Sequence, residues 1–194
     1  MNADAVDFLR RQSAQIGQFQ SEFRLHSEDD WPLTLDYFFG SPLWRSSGHA
    51  FELLGVDSTG GLYCLRTYPE LGEKAPPVVF VGPEGEGIAV VAGDAASLVE
   101  ALAQGYWWFA SIGGFTHDEE NLLQPAFAAF RAEAEAFLAR PLRSAESIAE
   151  AGQAQHPNFA AVVARMLDCC AASRPPVAGS FDDDHGSSRS GDEE

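Results

Sequence analysis

The sequence predicts an α+β fold: an antiparallel sheet built from hairpins, flanked by an N-terminal helix and by C-terminal helices. Two apolar segments, 51–67 and 77–92, each surround a glycine-bearing turn. Before and after them, apolar residues recur at helical rather than strand spacing. Hairpins that are grouped along the chain, with helices at either end, are typical of an α+β domain.

The first element is an amphipathic helix over residues 4–19, because Val6, Leu9 and Ile16 form one stripe at helical spacing. Residues 27–48 that follow are rich in turn-forming and aromatic residues. Within this region apolar side chains alternate with others, which indicates a half-buried strand. The alternating residues are Leu33, Leu35, Tyr37 and Phe39.

The first hairpin joins strands 51–56 and 62–67 through a turn that begins at Asp57 and ends with Gly60 and Gly61. One of these glycines supplies the positive φ that a short hairpin loop requires. The Asp57 carboxylate either accepts backbone N–H groups within the turn or contacts a partner. Both roles remain open from the residues alone.

The second hairpin joins strands 78–81 and 88–92 through a glycine-rich turn that contains Glu84 and Glu86. This turn is not a phosphate-binding loop, because it lacks the Gly-Lys-Ser/Thr ending and connects two strands. Its carboxylates are expected to be solvated, whereas a catalytic carboxylate pair needs one desolvated member. The turn is therefore predicted to be structural or to contact a partner.

Helices follow the hairpins. Asp94 is the predicted N-cap of the first of them, and Gly105 is its C-terminal stop. The last third of the chain contains two apolar patterns at helical spacing. They comprise Phe127, Phe130, Ala134, Phe137 and Leu138, and then Phe159, Val162, Val163, Met166, Leu167 and Cys170.

Length and composition limit the class of protein. The 194 residues predict a single domain over 1–172, followed by a disordered acidic tail over 173–194. Three cysteines without zinc or disulfide spacing, and the lack of a signal peptide or membrane span, predict a soluble cytoplasmic protein. The net charge of −17 disfavours nucleic-acid binding, and it indicates either solubility alone or electrostatic steering toward a basic protein partner.

Sequence motifs predict no catalytic residue, metal site or cofactor. A nucleophile elbow of the form Gly-x-Ser-x-Gly does not occur in the chain. The run His117-Asp118-Glu119-Glu120 resembles a metal-ligand cluster, but adjacent residues do not share a helical face. It is better interpreted as the acidic start of a helix.

Four consecutive aromatic residues, 106–109, are harder to assign to a core. They cannot all face one side of a strand or a helix, so some are expected near the surface. Trp107 and Trp108 are therefore candidate anchors for a partner, since tryptophan is enriched at binding hot spots. Packing beneath the C-terminal helices is the alternative.

Several of these segments resemble the SUKH superfamily, an α+β fold that includes bacterial toxin-immunity proteins and fungal cell-wall regulators. Gly55–Leu65 is similar to its strand, Gly-Gly turn and strand, and Pro77–Ala92 to its next hairpin. The Leu- and Ala-rich helix after Asp94 and the closing segment 156–170 extend the similarity. The usual opening of the family, a Leu-Pro segment before a helix that ends in Asn-Gly-Gly, is not evident.

The resemblance implies an immunity-type protein that binds and neutralises a cognate, basic bacterial toxin, for example a nuclease. The candidate partner-binding residues are Asp57, Glu84, Glu86, Trp107 and Trp108. A regulatory scaffold and a module that binds a peptide or small molecule are the alternatives, and an unrecognised enzyme is the weakest of them.

Overall fold

The structure, a computed structural model, describes residues 2–20, 23–25, 48–83, 88–109 and 113–172. Three sequence predictions lie outside the described residues: the strand within 27–48, the turn carboxylates Glu84 and Glu86, and the tail 173–194.

The secondary structure confirms the predicted α+β class. The helices are α1 Asn2–Phe19, α2 Ala95–Leu102, α3 Glu119–Leu122, α4 Pro125–Leu138, α5 Ala145–Gln155 and α6 Phe159–Ala172. The strands are β1 Arg24–Leu25, β2 Ala50–Val56, β3 Leu62–Thr67, β4 Val78–Val81, β5 Ile88–Ala92, β6 Tyr106–Phe109 and β7 Gly114–His117. No helix within the described ranges is both long and apolar enough to cross a bilayer.

Both predicted hairpins belong to one antiparallel sheet of five strands in the order β1-β2-β3-β4-β5. Leu62 at the start of β3 pairs with Val81 at the end of β4, so the β2–β3 turn and the end of β4 lie at the same end of the sheet. Strands β6 and β7 form a separate antiparallel pair, which the sequence analysis did not predict.

Local chemistry explains where these elements turn and begin. Asp57 Oδ1 accepts the N–H groups of Thr59, at 2.9 Å, and Gly61, at 2.7 Å. Gly60 has a φ of +91°, a value that glycine adopts without strain. Asp94 accepts the Ser97 N–H at 2.8 Å, which confirms the predicted N-cap of α2.

The sheet is covered on both faces because side chains alternate along β3. Tyr63 and Leu65 face a large core shared with α1, α2 and α4. Leu62 and Cys64 face a second core, which α6 covers with Phe159 and Met166. Helix α5 packs against β5, at the edge of the sheet.

Candidate functional site: a cleft between the β6–β7 hairpin and helix α5

A cleft of about 380 Å³ lies between the β6–β7 hairpin and the N-terminal half of α5. This volume is within the range of roughly 300–1,000 Å³ that is typical of ligand pockets. One wall is aromatic and the other carries carboxylates. The principal lining side chains are Tyr106, Trp108, Phe115, Glu146, Glu150 and Gln153.

Strand pairing builds the aromatic wall. Trp108 is paired directly with Phe115, and Tyr106 with His117, so these four rings share one face of the hairpin. The Trp108 and Phe115 rings meet edge to face, with centroids 5.6 Å apart. Tyr106 and Phe115 are half-buried, whereas Trp108 is 5% exposed and forms the deepest part of the wall.

The phenol of Tyr63 holds this wall against the main sheet. Its hydroxyl donates to the carbonyl oxygen of Trp108 at 2.9 Å and accepts the Trp108 N–H at 3.0 Å. Tyr63 itself is fully buried between the rings of Phe23 and Phe80. The position of the aromatic wall is therefore fixed by the core.

The first turns of α5 build the acidic wall. Ser144 caps the helix by accepting the Ser147 N–H at 3.2 Å. Glu146 and Glu150 are four residues apart and so project from the same helical face. Both are exposed, and neither has an ion-pair or hydrogen-bond partner among the described residues.

The two arginines that precede α5 in the chain are bound to a buried carboxylate. Arg140 donates to Glu100 Oε2 at 2.7 Å, and Arg143 donates to the same oxygen at 2.7 Å and to Ser97 Oγ at 3.0 Å. Burial raises the pKa of Glu100, but these hydrogen bonds more than offset it and hold the pKa below its usual value. Arg143 precedes the α5 cap, yet its guanidinium is directed at α2.

The arrangement suits recognition of a cation. Aromatic faces attract cations through their quadrupoles, and carboxylates accept hydrogen bonds from ammonium or guanidinium groups. No cluster of three or more His, Cys, Asp or Glu side chains with geometry suited to a metal ion occurs in the part of the chain that the structure describes.

The structure places one of the five predicted partner-binding residues in this cleft, namely Trp108. Trp107 lies on the opposite face of β6 and is 8% exposed. Asp57 is 5% exposed, and one of its carboxylate oxygens is occupied by the turn. Glu84 and Glu86 lie outside the described residues.

Burial of both tryptophans changes how the site has to be tested. Replacing Trp107 or Trp108 with alanine removes a core side chain, which typically costs about 3–5 kcal/mol of stability. An effect of either variant on binding would then be difficult to separate from partial unfolding. Substitutions of Glu146 and Glu150, which are exposed, test binding at the cleft without removing a core side chain.

The sequence analysis missed the acidic wall. Its signal is the pair of glutamates at helical spacing in 144–155, with no Lys or Arg in that segment. The hairpin also had a signal, since Gly113 and Gly114 follow the aromatic strand. The interpretation of 117–120 as a helix start is confirmed, because Asp118 caps α3 by accepting the Glu120 N–H at 2.9 Å.

A second unusual cluster surrounds Arg66, which is fully buried beneath α6. Its guanidinium carbon lies 4.9–5.7 Å from the ring centroids of Phe51, Tyr68 and Phe159. Nη2 donates to His49 Nδ1 at 3.0 Å, whereas Nε and Nη1 have no hydrogen-bond partner among the residues that the structure describes. Because the side chain has no exposed surface, we treat this cluster as part of the interior rather than as a binding site.

Comparison of the chain with protein-family models, with curated proteins and with solved structures found no match. The functional interpretation therefore depends on the geometry of the cleft and on the resemblance of the hairpin segments.

Proposed function

We propose that this protein is a SUKH-type immunity protein that binds a cognate protein toxin and neutralises it stoichiometrically. The cleft between the β6–β7 hairpin and α5 forms part of the contact surface. The observation that carries this proposal is an aromatic cleft on a chain of net charge −17. Two carboxylates of the cleft, Glu146 and Glu150, have no ion-pair partner among the described residues.

Charge supports a basic partner. A strongly acidic protein is attracted to a basic surface over long range, which accelerates association and makes it sensitive to salt. The substrate cleft of a nuclease toxin is such a surface, because it must hold a phosphate backbone. Covering that surface would inhibit the toxin without any chemical step.

The cleft chemistry supports binding over catalysis. Glu146 and Glu150 are both exposed, whereas a catalytic carboxylate pair needs one desolvated member. The Ser144 hydroxyl caps α5 and has no histidine within hydrogen-bond distance among the described residues. The described lining residues therefore assemble no activated nucleophile.

The test is co-expression of the full chain with each toxin domain encoded beside its gene. We expect survival to require roughly equimolar protein, because an inhibitor that acts by occupancy protects only when it saturates the toxin. Protection at a small fraction of the toxin concentration would contradict stoichiometric binding and favour an enzyme. Absence of protection against every such domain would contradict the immunity function.

A regulatory scaffold or a peptide-binding module is the second candidate. The cleft favours it, because its volume and half-enclosed aromatic wall also suit one segment of an ordinary peptide. The two functions differ in gene context and in the survival assay. A scaffold would bind a host peptide and give no protection from a toxin.

A further inference from the structure

We infer that the cleft is a receptor for a single arginine side chain of the protein partner, held between the aromatic wall and Glu146 and Glu150. The inference rests on the proposed function for the identity of the partner. The chemistry of the side chain follows from the cleft itself.

The first step is the charge of the ligand. Glu146 and Glu150 face the same way, and like charges at this spacing repel and weaken an exposed helix. No cation of the described residues lies close enough to pair with either one. A cation placed between them would relieve the repulsion, whereas an anion would increase it.

The second step concerns the two arginines that precede α5 in the chain. Arg140 and Arg143 flank the start of α5, and both are bound to Glu100, whose side chain is fully buried. Releasing either one would leave a buried carboxylate short of a partner, which is strongly unfavourable. Neither of these two arginines is therefore available to the cleft, and the occupant that we propose is a side chain of another molecule.

The third step distinguishes arginine from lysine. A guanidinium is planar, stacks on aromatic rings and donates two parallel hydrogen bonds to a carboxylate. Tyr106 and Phe115 are half-buried and present ring surface opposite the glutamates. A lysine ammonium is more strongly hydrated and cannot stack, so a half-enclosed aromatic cleft favours it less.

The size of the cleft agrees with one side chain. A volume of about 380 Å³ holds an extended basic side chain together with its flanking backbone, but not a folded element. Gln153 also lines the cleft, and its amide oxygen is a further acceptor for the outer N–H groups of a guanidinium.

The experiment titrates the full chain with Nα-acetyl-arginine amide and follows binding by NMR. The lysine amide and the neutral citrulline amide are the comparison ligands, since citrulline has nearly the shape of arginine without its charge. We expect a Kd on the order of a millimolar for arginine, at least threefold weaker binding of lysine, and at least tenfold weaker binding of citrulline.

The double variant Glu146→Gln/Glu150→Gln is expected to weaken arginine binding at least tenfold. Its matched control is Glu119→Gln/Glu120→Gln, which removes the same charge from exposed residues of α3 that do not line the cleft. The control is expected to bind within twofold of the wild type. Thermal unfolding of both variants verifies that the fold is retained.

Several results would overturn the inference: no arginine binding, equal binding of citrulline, lysine binding as tight as arginine, or an equal effect of both variants. The outcome is independent of the immunity proposal, because no toxin is present. Arginine binding without protection in the survival assay would contradict only the proposed function. Protection in the survival assay by a protein that does not bind arginine would contradict only this inference.

Discussion

Arg66 and His49 are polar residues that are buried in the interior of the protein. The Arg66 guanidinium is buried against three aromatic rings, and burial lowers its pKa to about 10. His49 accepts the hydrogen bond from Nη2, which only a neutral imidazole can do. Burial, and then the charge of Arg66, lower the pKa of His49 from 6.5 to about 4.

This pair predicts loss of stability under mild acid. Between about pH 6.5 and pH 4 the unfolded chain protonates His49 and the folded chain does not. The free energy of unfolding therefore falls as the pH decreases through this window. Urea unfolding of the wild type and of His49→Gln at pH values across the window measures the effect.

We expect the variant to lose less stability than the wild type over this range, because glutamine can accept the Arg66 hydrogen bond without titrating. The pKa of His156 is also lowered, mainly by burial, and its contribution is present in both proteins. Identical pH dependence of the two proteins would contradict the role assigned to His49.

At the scale of elements, two helical glycines differ in what surrounds them. A Cβ added at Gly152 of α5 would lie 2.9 Å from the Gly93 backbone nitrogen and 3.0 Å from the Ala92 carbonyl carbon. A Cβ at Gly17 of α1 would meet nothing within 4 Å. Helix α5 can therefore approach β5 closely only because residue 152 has no side chain.

The two substitutions to alanine should have opposite effects. Alanine is favoured over glycine in a helix by about 1 kcal/mol, so Gly17→Ala is expected to raise the free energy of unfolding by up to that amount. Gly152→Ala is expected to lower it, since backbone atoms cannot move aside cheaply. Denaturant unfolding of both variants measures these changes in the free energy of unfolding. Equal stabilisation by the two substitutions would contradict the close packing of α5 on β5.

Elements set by local chemistry could be predicted from the sequence, and elements set by distant contacts could not. The hairpin turn at Asp57 and the cap at Asp94 depend on bonds to residues a few positions away. The orientation of the β6–β7 hairpin depends on Tyr63, and the start of α5 on the contact of Arg143 with Glu100. These pairs are far apart in sequence, so no local pattern reveals the cleft.

The same reasoning explains the aromatic segment 106–109. The sequence analysis expected some of these rings near the surface because it considered one core on one side. The structure buries Trp107 and Trp108 on opposite faces of β6 and leaves Tyr106 half-buried at the cleft. Whether one face of β6 or both faces are buried depends on tertiary contacts. The spacing of apolar residues along the chain does not contain that information.

At the scale of the whole molecule, we expect the net charge and the cleft to act at different stages of binding in the proposed complex. We expect the net charge of −17 to govern the rate at which the proposed basic partner associates and the salt dependence of that rate. The cleft contributes a local contact that forms after the encounter and mainly slows dissociation. Charge removed from Glu146 and Glu150 should therefore act more on dissociation than the same charge removed from Glu119 and Glu120.

The most direct test of the central claim is the kinetics of binding between the purified full chain and a toxin domain encoded beside its gene, measured over a range of salt concentrations. We predict a one-to-one complex with a Kd of about a nanomolar and association that slows as salt increases. Glu146→Gln/Glu150→Gln should weaken the complex at least tenfold, and Glu119→Gln/Glu120→Gln much less. A toxin that forms no complex, or a complex that both variants leave unchanged, would contradict the account.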